Sequence, residues 1–137
     1  MINIIVATHG PLAEAFIESA ALIFGKQDNV KAIGLFEGDN IDTFKKKVID
    51  TIQDTNNADG TLILTDILGG SPSNVAAFSL VELKDTRIEC LAGLNLPIFI
   101  EALANREFLS VDKLINHLIE TGKNSVVNIK EELNKRQ

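Results

Sequence analysis

Residues 2–11 read Ile-Asn-Ile-Ile-Val-Ala-Thr-His-Gly-Pro, and this stretch decides the fold. Its apolar run, rich in β-branched side chains, predicts a buried strand that ends at His9. Gly10 permits a tight turn and Pro11 suits the first turn of a helix, so a helix should follow over Leu12–Phe24. Open α/β sheets bind ligands beyond the carboxyl ends of their strands, which is where His9 is expected to lie.

The composition is typical of one folded domain. The chain has 137 residues, of which 45% are hydrophobic and 23% charged, so we expect a single domain over 1–137. Nineteen acidic and thirteen basic residues give a net charge of -6, which argues against a nucleic-acid partner. The single Cys90 excludes an internal disulfide. Because no signal segment or membrane-length apolar run is seen, we expect a cytoplasmic location.

Three further predicted strands alternate with helices along the chain. Apolar runs predict these strands over Val30–Leu35, Thr61–Thr65 and Arg87–Gly93. Strands separated by crossover helices run parallel. The predicted fold class is therefore α/β, an open doubly wound sheet of about four parallel strands with helices on both faces. The expected strand order is 2-1-3-4, which makes the first and third strands neighbours.

The carboxyl-terminal segment is expected to pair with the sheet of a second subunit. Ser110 should cap a long amphipathic helix and Gly122 should end it. The apolar residues within 125–129 then favour a short strand that has no hairpin partner. Pairing antiparallel with the sheet edge of a second copy would give a two-fold dimer by exchange, followed by a helical tail. The alternative is that Ser125–Lys135 continues as a helix.

A second loop with functional character follows the third strand. It begins with Asp66, and the Gly-Gly-Ser of residues 69–71 then opens a helix, where N–H groups and the helix dipole favour an anion. If the first and third strands are neighbours, Asp66 can hold one nitrogen of His9 and leave the other free to attack. Each residue alone fits a structural role, but together they favour transient phosphorylation of His9 over hydrolysis. The expected phosphate-binding residues are Thr8, Gly10, Gly69 and Gly70, without a metal ion or cofactor.

Other protein classes fit these motifs less well. A response-regulator receiver domain would be phosphorylated on Asp66, but it needs an acidic pair after the first strand, where this chain has Thr8 and His9. A serine hydrolase would require Gly-x-Ser-x-Gly, and residues 69–73 lack the last glycine. A dinucleotide-binding protein would have Gly-x-Gly-x-x-Gly after the first strand, and this chain does not.

The motifs together resemble the enzyme IIA component of the mannose-type sugar phosphotransferase system, the family that serves mannose, fructose and sorbose. Three segments carry the resemblance, namely Ile4–Gly10, Thr65–Asn74 and Ala92–Pro97. It implies that His9 accepts a phosphoryl group from the phosphocarrier HPr and passes it to a IIB component. In the same way it implies that Asp66 orients His9 and that Ser71 contacts the phosphoryl group. It further implies peripheral association with the IIC and IID membrane subunits through IIB, and relatives are similar in forming strand-exchanged homodimers.

The same fold resembles two other groups of proteins. One is the phosphotransferase subunit of dihydroxyacetone kinases, whose middle loop usually reads Asp-x-Gly-Ser-Ala, without the Gly-Gly-Ser-Pro of residues 69–72. The other group consists of regulatory domains within transcription activators, which carry DNA-binding or ATPase segments not seen in these 137 residues. The transport component is therefore the preferred interpretation.

Overall fold

Four parallel strands form the sheet in the order β2-β1-β3-β4. The computed structural model describes residues 1–136, and its strands are β1 (Asn3–His9), β2 (Val30–Leu35), β3 (Thr61–Thr65) and β4 (Ile88–Ala92). The predicted strand order and α/β class are confirmed. Strand β4 is one residue shorter at each end than expected, and at its carboxyl end Gly93 turns the chain with a φ of 97°.

Six helices accompany the sheet in the described part of the chain. They are α1 (Leu12–Phe24), α2 (Ile41–Thr55), α3 (Ser71–Glu82), α4 (Leu96–Asn105), α5 (Val111–Asn124) and α6 (Ile129–Lys135). Asparagine side chains cap two of the crossover helices, because Asn40 accepts from the N–H groups of Asp42 and Thr43, and Asn95 accepts from that of Ile98. These caps define where the chain turns after β2 and β4.

Two apolar cores lie on opposite faces of the sheet, and β1 supplies both. Ile4 and Val6 pack in the core formed with α1, α4 and α5, whereas Ile5 and Ala7 pack in the core formed with α2 and α3. Successive side chains of a strand point to opposite faces, so a strand buried on both sides must be apolar throughout. This explains why the amino-terminal run of the sequence is continuous and not alternating.

A buried arginine joins the amino-terminal edge of the sheet to α4. Arg106 is 2% exposed and donates hydrogen bonds to the carbonyl oxygens of Ile2, Asp28 and Asn29. Burial lowers the pKa of its guanidinium, although the group stays cationic at neutral pH. Arg106 therefore binds the starts of β1 and β2 to the end of α4.

One expected helix end is wrong by two residues. Gly122 does not end α5, because the helix continues to Asn124. A Cβ at Gly122 would lie 3.0 Å from Cδ1 of Ile98, so this glycine allows α5 to approach α4. Ser71 is the first residue of α3, in agreement with the helix expected to open at residues 69–71, and Gly70 occupies the capping position.

The expected carboxyl-terminal strand is absent from this single chain. Residues 125–128 form neither helix nor strand, and α6 follows over Ile129–Lys135, as the predicted helical tail required. A strand needs an edge to supply its hydrogen bonds, and α6 buries none of its residues. Gln137 lies outside the described residues, and exchange between two copies is not shown.

Cys90 and His117 lie away from the candidate site. Cys90 is partly buried, and burial raises the pKa of its thiol to about 12, so it packs as a small apolar residue. His117 lies on the surface, and its Nε2 is 2.8 Å from Oε2 of Glu101 on α4. Neither residue lies at the sheet edge that carries His9.

Candidate phosphotransfer site

His9 and Asp66 meet because β1 and β3 are adjacent and parallel. The pairing aligns Ala7 with Thr65, so the two strands end on the same side of the sheet. Nδ1 of His9 is 2.8 Å from Oδ2 of Asp66, and the same oxygen accepts the backbone N–H of His9 at 2.9 Å. Asp66 therefore holds both the ring and the backbone of His9.

Asp66 is arranged to remain ionised. Partial burial by itself raises the pKa of this carboxyl, but hydrogen bonds from the backbone N–H and ring of His9 and from the N–H of Ile67 outweigh it, so the pKa is lowered. The Ile67 bond goes to the second carboxylate oxygen at 2.9 Å. A charged acceptor at Nδ1 selects the tautomer of His9 with the proton on that nitrogen.

The other ring nitrogen of His9 faces the loop between β3 and α3. The His9 side chain is 50% exposed, whereas that of Asp66 is 13% exposed. A Cβ at Gly70 would lie 2.7 Å from Cε1 of His9 and 3.3 Å from Nε2. Only glycine allows this loop to approach the ring so closely, and the space beside Nε2 stays open.

The Gly-Gly-Ser loop brings a helix start next to that space. Gly69 has a φ of 88° and donates its N–H to Oγ of Ser73, while Gly70 precedes α3. Ser71 opens α3, so its N–H has no carbonyl partner within the helix. Among residues 1–136, the Ser71 hydroxyl makes no hydrogen bond to His9 or Asp66, which leaves it available to a ligand.

Thr8 and Gly10 form hydrogen bonds with backbone groups and do not point into the space beside Nε2 of His9. Thr8 is fully buried, and its Oγ1 accepts the N–H of Ala13 at 2.8 Å. The N–H of Gly10 donates to the carbonyl oxygen of Leu35 at 2.7 Å. Both residues therefore shape the turn after β1. Their hydrogen-bonding groups are not directed toward the anion site at residues 69–71.

Exposed apolar side chains flank the site, a feature that the sequence analysis missed. The apolar rim consists of Leu12, Phe36, Ile67 and Leu68, with Leu68 83% exposed and Ile67 60% exposed. Large apolar residues in a loop beside a polar site are typical of a surface that binds a partner. The sequence signal was the Ile67-Leu68 pair, two large apolar residues between Asp66 and the turn-forming Gly69-Gly70.

These features define a class: a doubly wound α/β domain that presents a carboxylate-held histidine beside a helix-start anion site. A family model described as the PTS system fructose IIA component, EIIA-man, matches residues 3–119. The chain belongs to this family of sugar phosphotransferase IIA components.

Individual relatives agree with the family. The fructose-specific EIIA component of Bacillus subtilis is 39% identical over 118 residues, covering 86% of this chain and 80% of that protein. The mannose-specific EIIAB component of Escherichia coli K12 is 34% identical over 130 residues, and this chain spans 40% of its length. The crystal structure of a phosphotransferase system EIIA component from Streptococcus agalactiae matches with a TM-score of 0.88 at 32% identity, covering 96% of this chain and 99% of that one.

Proposed function

We propose that this protein is a phosphocarrier in which His9 accepts a phosphoryl group from HPr and passes it to a IIB component during coupled sugar uptake. The observation that carries the proposal is the 2.8 Å bond between Nδ1 of His9 and Asp66, which leaves Nε2 as the free nucleophile. Gly70 lies against the ring beside that nitrogen, Ser71 follows it as the first residue of α3, and Asp66 positions the ring.

The transfer step needs no proton movement at His9. The lone pair of Nε2 forms the new bond to phosphorus while the bond from phosphorus to the donor histidine nitrogen breaks, and the bonding pair remains on the donor nitrogen. Nδ1 keeps its hydrogen and donates it in the hydrogen bond to Asp66 throughout. The imidazole becomes positively charged as Nε2 attacks, and the ionised Asp66 stabilises that charge.

Two protein partners must reach the same face in turn. The apolar rim supports this, because its side chains are exposed, follow the strand ends that carry His9 and Asp66, and can be covered by a partner that excludes water from the transfer. The partners are HPr and the IIB component, and through IIB the protein associates peripherally with the IIC and IID membrane subunits from the cytoplasm. None of the helices described in residues 1–136 is long and apolar enough to cross a membrane.

Two alternative functions are less well supported. Phosphorylation of Asp66, as in a receiver domain, is disfavoured because both carboxylate oxygens accept hydrogen bonds and the side chain is 13% exposed. A dihydroxyacetone kinase subunit would use the same histidine with another partner. The family match and the Gly-Gly-Ser-Pro loop favour the transport component.

Labelling with phosphoenolpyruvate, enzyme I and HPr tests the proposal, and the His9→Ala variant identifies the acceptor. We expect acid-labile, base-stable label in the wild type and none in His9→Ala, because Nε2 is the only nucleophile at the site that the proposal allows. The matched control is His117→Ala, which removes the other histidine and should retain full labelling. Label that persists in His9→Ala and is also labile to base would assign phosphorylation to Asp66 instead.

A further inference from the structure

The turn after β1 is held by two residues that do not reach the open side of the His9 ring. We infer that Thr8 and Gly34 are positioning residues for His9, an inference that rests on the proposed phosphocarrier function. Thr8 precedes His9 in β1, and the sheet register pairs Thr8 with Gly34 on β2. Each holds the His9–Gly10 backbone from a different side.

Thr8 acts through its hydroxyl. Oγ1 accepts the N–H of Ala13 at 2.8 Å and donates to the carbonyl oxygen of His9 at 3.1 Å. One buried hydroxyl thus joins the backbone of the phosphoacceptor to the first turn of α1, whose N–H groups have no partner within the helix. Valine has nearly the same shape but can make neither bond, so Thr8→Val would release this connection.

Gly34 acts through the absence of a side chain. A Cβ at this position would lie 2.4 Å from the carbonyl oxygen of Gly10 and 2.9 Å from Cε2 of Phe36. The N–H of Gly10 donates to Leu35 at 2.7 Å, which draws the turn against β2. Real Cβ atoms essentially never come closer than 3.0 Å to such a neighbour, so alanine would displace Gly10 or β2 by about 0.6 Å.

A displacement of this size matters because the ring of His9 has little freedom. Its Nδ1 is tied to Asp66 at 2.8 Å, and Gly70 lies against Cε1. Reacting groups must be held within about 0.5 Å of productive geometry, and an error of about 1 Å can cost on the order of a hundredfold in rate. A shift in the Gly10 carbonyl next to His9 therefore acts on the position of Nε2.

The experiment measures the rate of phosphoryl transfer from phosphorylated HPr together with the free energy of unfolding. We expect Thr8→Val and Gly34→Ala to slow transfer by about tenfold, and Thr8→Ser, which keeps the hydroxyl, to recover most of the rate. Ser79→Ala is the matched control for Thr8, since Ser79 is also fully buried and donates to a backbone carbonyl, that of Ala76. Gly60→Ala is the control for Gly34, because its Cβ would lie 2.8 Å from the carbonyl oxygen of Arg87 at the opposite end of the sheet. Its φ of 92° adds backbone strain, so this control also shows whether a loss of stability alone slows transfer.

Imidazole ¹⁵N spectra provide a readout that a loss of stability would not move. In Thr8→Val and Gly34→Ala, the His9 ring signals should shift while those of His117 stay in place, and both controls should retain the wild-type spectrum and rate. Unchanged transfer in the two variants, or an equal loss in the controls, would overturn the inference. If wild-type protein accepts no phosphoryl group, the proposed function fails, whereas unchanged His9 signals in the variants would refute the positioning role separately.

Discussion

At the scale of single residues, the site depends on one carboxylate that makes three hydrogen bonds. Asp66 accepts from the backbone and the ring of His9 and from Ile67. These bonds hold its pKa below the ordinary value despite partial burial. The stability that they contribute is present above the ordinary carboxyl pKa of about 4 and is lost as pH falls through the lowered pKa.

Asp66→Asn is expected to fold normally and to slow transfer to His9 by on the order of a hundredfold. The amide oxygen can accept a hydrogen bond from the ring N–H, but it carries no charge to stabilise the imidazolium that forms when Nε2 attacks. Rapid-quench assays with phosphorylated HPr measure the transfer rate, and thermal unfolding shows whether the variant is as stable as the wild type. An unchanged rate would show that Asp66 only shapes the turn and does not contribute to transfer.

The loop of residues 69–71 should respond in a graded way. Ser71→Ala removes one donor but leaves the backbone N–H groups, so we expect a loss of about tenfold or less, smaller than that of Asp66→Asn. Gly70→Val should cost more than Ser71→Ala, because its Cβ would lie 2.7 Å from the His9 ring. Single-turnover transfer rates of the three variants give the ranking, and a larger loss for Ser71→Ala than for Asp66→Asn would reverse it.

At the scale of secondary structure elements, the carboxyl and amino ends of the strands have different roles. The carboxyl edge carries His9 and Asp66, whereas the amino edge is tied together by Arg106, whose donors bind carbonyl oxygens preceding β2 and at the start of β1. Changes at the amino edge should therefore alter stability without changing the chemistry of the site.

Arg106→Met tests this separation. Removing the guanidinium deletes its hydrogen bonds to three backbone carbonyl oxygens, so we expect a loss of about 2–4 kcal/mol in the free energy of unfolding. The matched control Arg136→Met, at an exposed position after α6, should change stability by less than about 0.5 kcal/mol. Urea unfolding gives both values. The folded fraction of Arg106→Met should still accept phosphate on His9, and a stable variant would show that these bonds contribute little.

At the scale of the whole molecule, the single chain leaves an apolar tail uncovered. Val126 is 88% exposed and Ile129 is 81% exposed, and α6 buries no residue. The strand edges of β2 and β4 are also unpaired in the sheet order. A tail that adds to an edge strand of a second copy would cover the apolar tail and one of these edges, as the homodimer expected from the sequence requires.

Light scattering of the full chain and of a version ending at Ser125 tests the dimer. We expect a dimer at micromolar concentration for the full chain and a monomer for the shortened one, because the shortened chain lacks the segment to be exchanged. Ending at Ser125 preserves α5 and the bond from Asn95 to Ser125 at 2.8 Å. A monomeric full chain, or a shortened chain that remains dimeric, would contradict the exchange.

Local sequence patterns were sufficient to predict many of the strands and helices. The apolar run before His9, the strands over Val30–Leu35 and Thr61–Thr65 and the helix over Leu12–Phe24 have the bounds expected from the sequence. Hydrophobic periodicity and turn residues are local signals, so they report such elements well. The same signals were misleading at Gly122, where the glycine serves a contact with α4 instead of a helix end.

The amino-acid sequence by itself determined the parallel α/β sheet and the arrival of His9 and Asp66 at the carboxyl ends of its strands, because strands that alternate with crossover helices run parallel. Tertiary structure alone decided which nitrogen of His9 is free, since that depends on a 2.8 Å contact between side chains 57 positions apart. It also decided that Thr8 faces α1 and that Gly34 lies against Gly10. Such contacts depend on distances across the packed sheet, which sequence spacing does not encode.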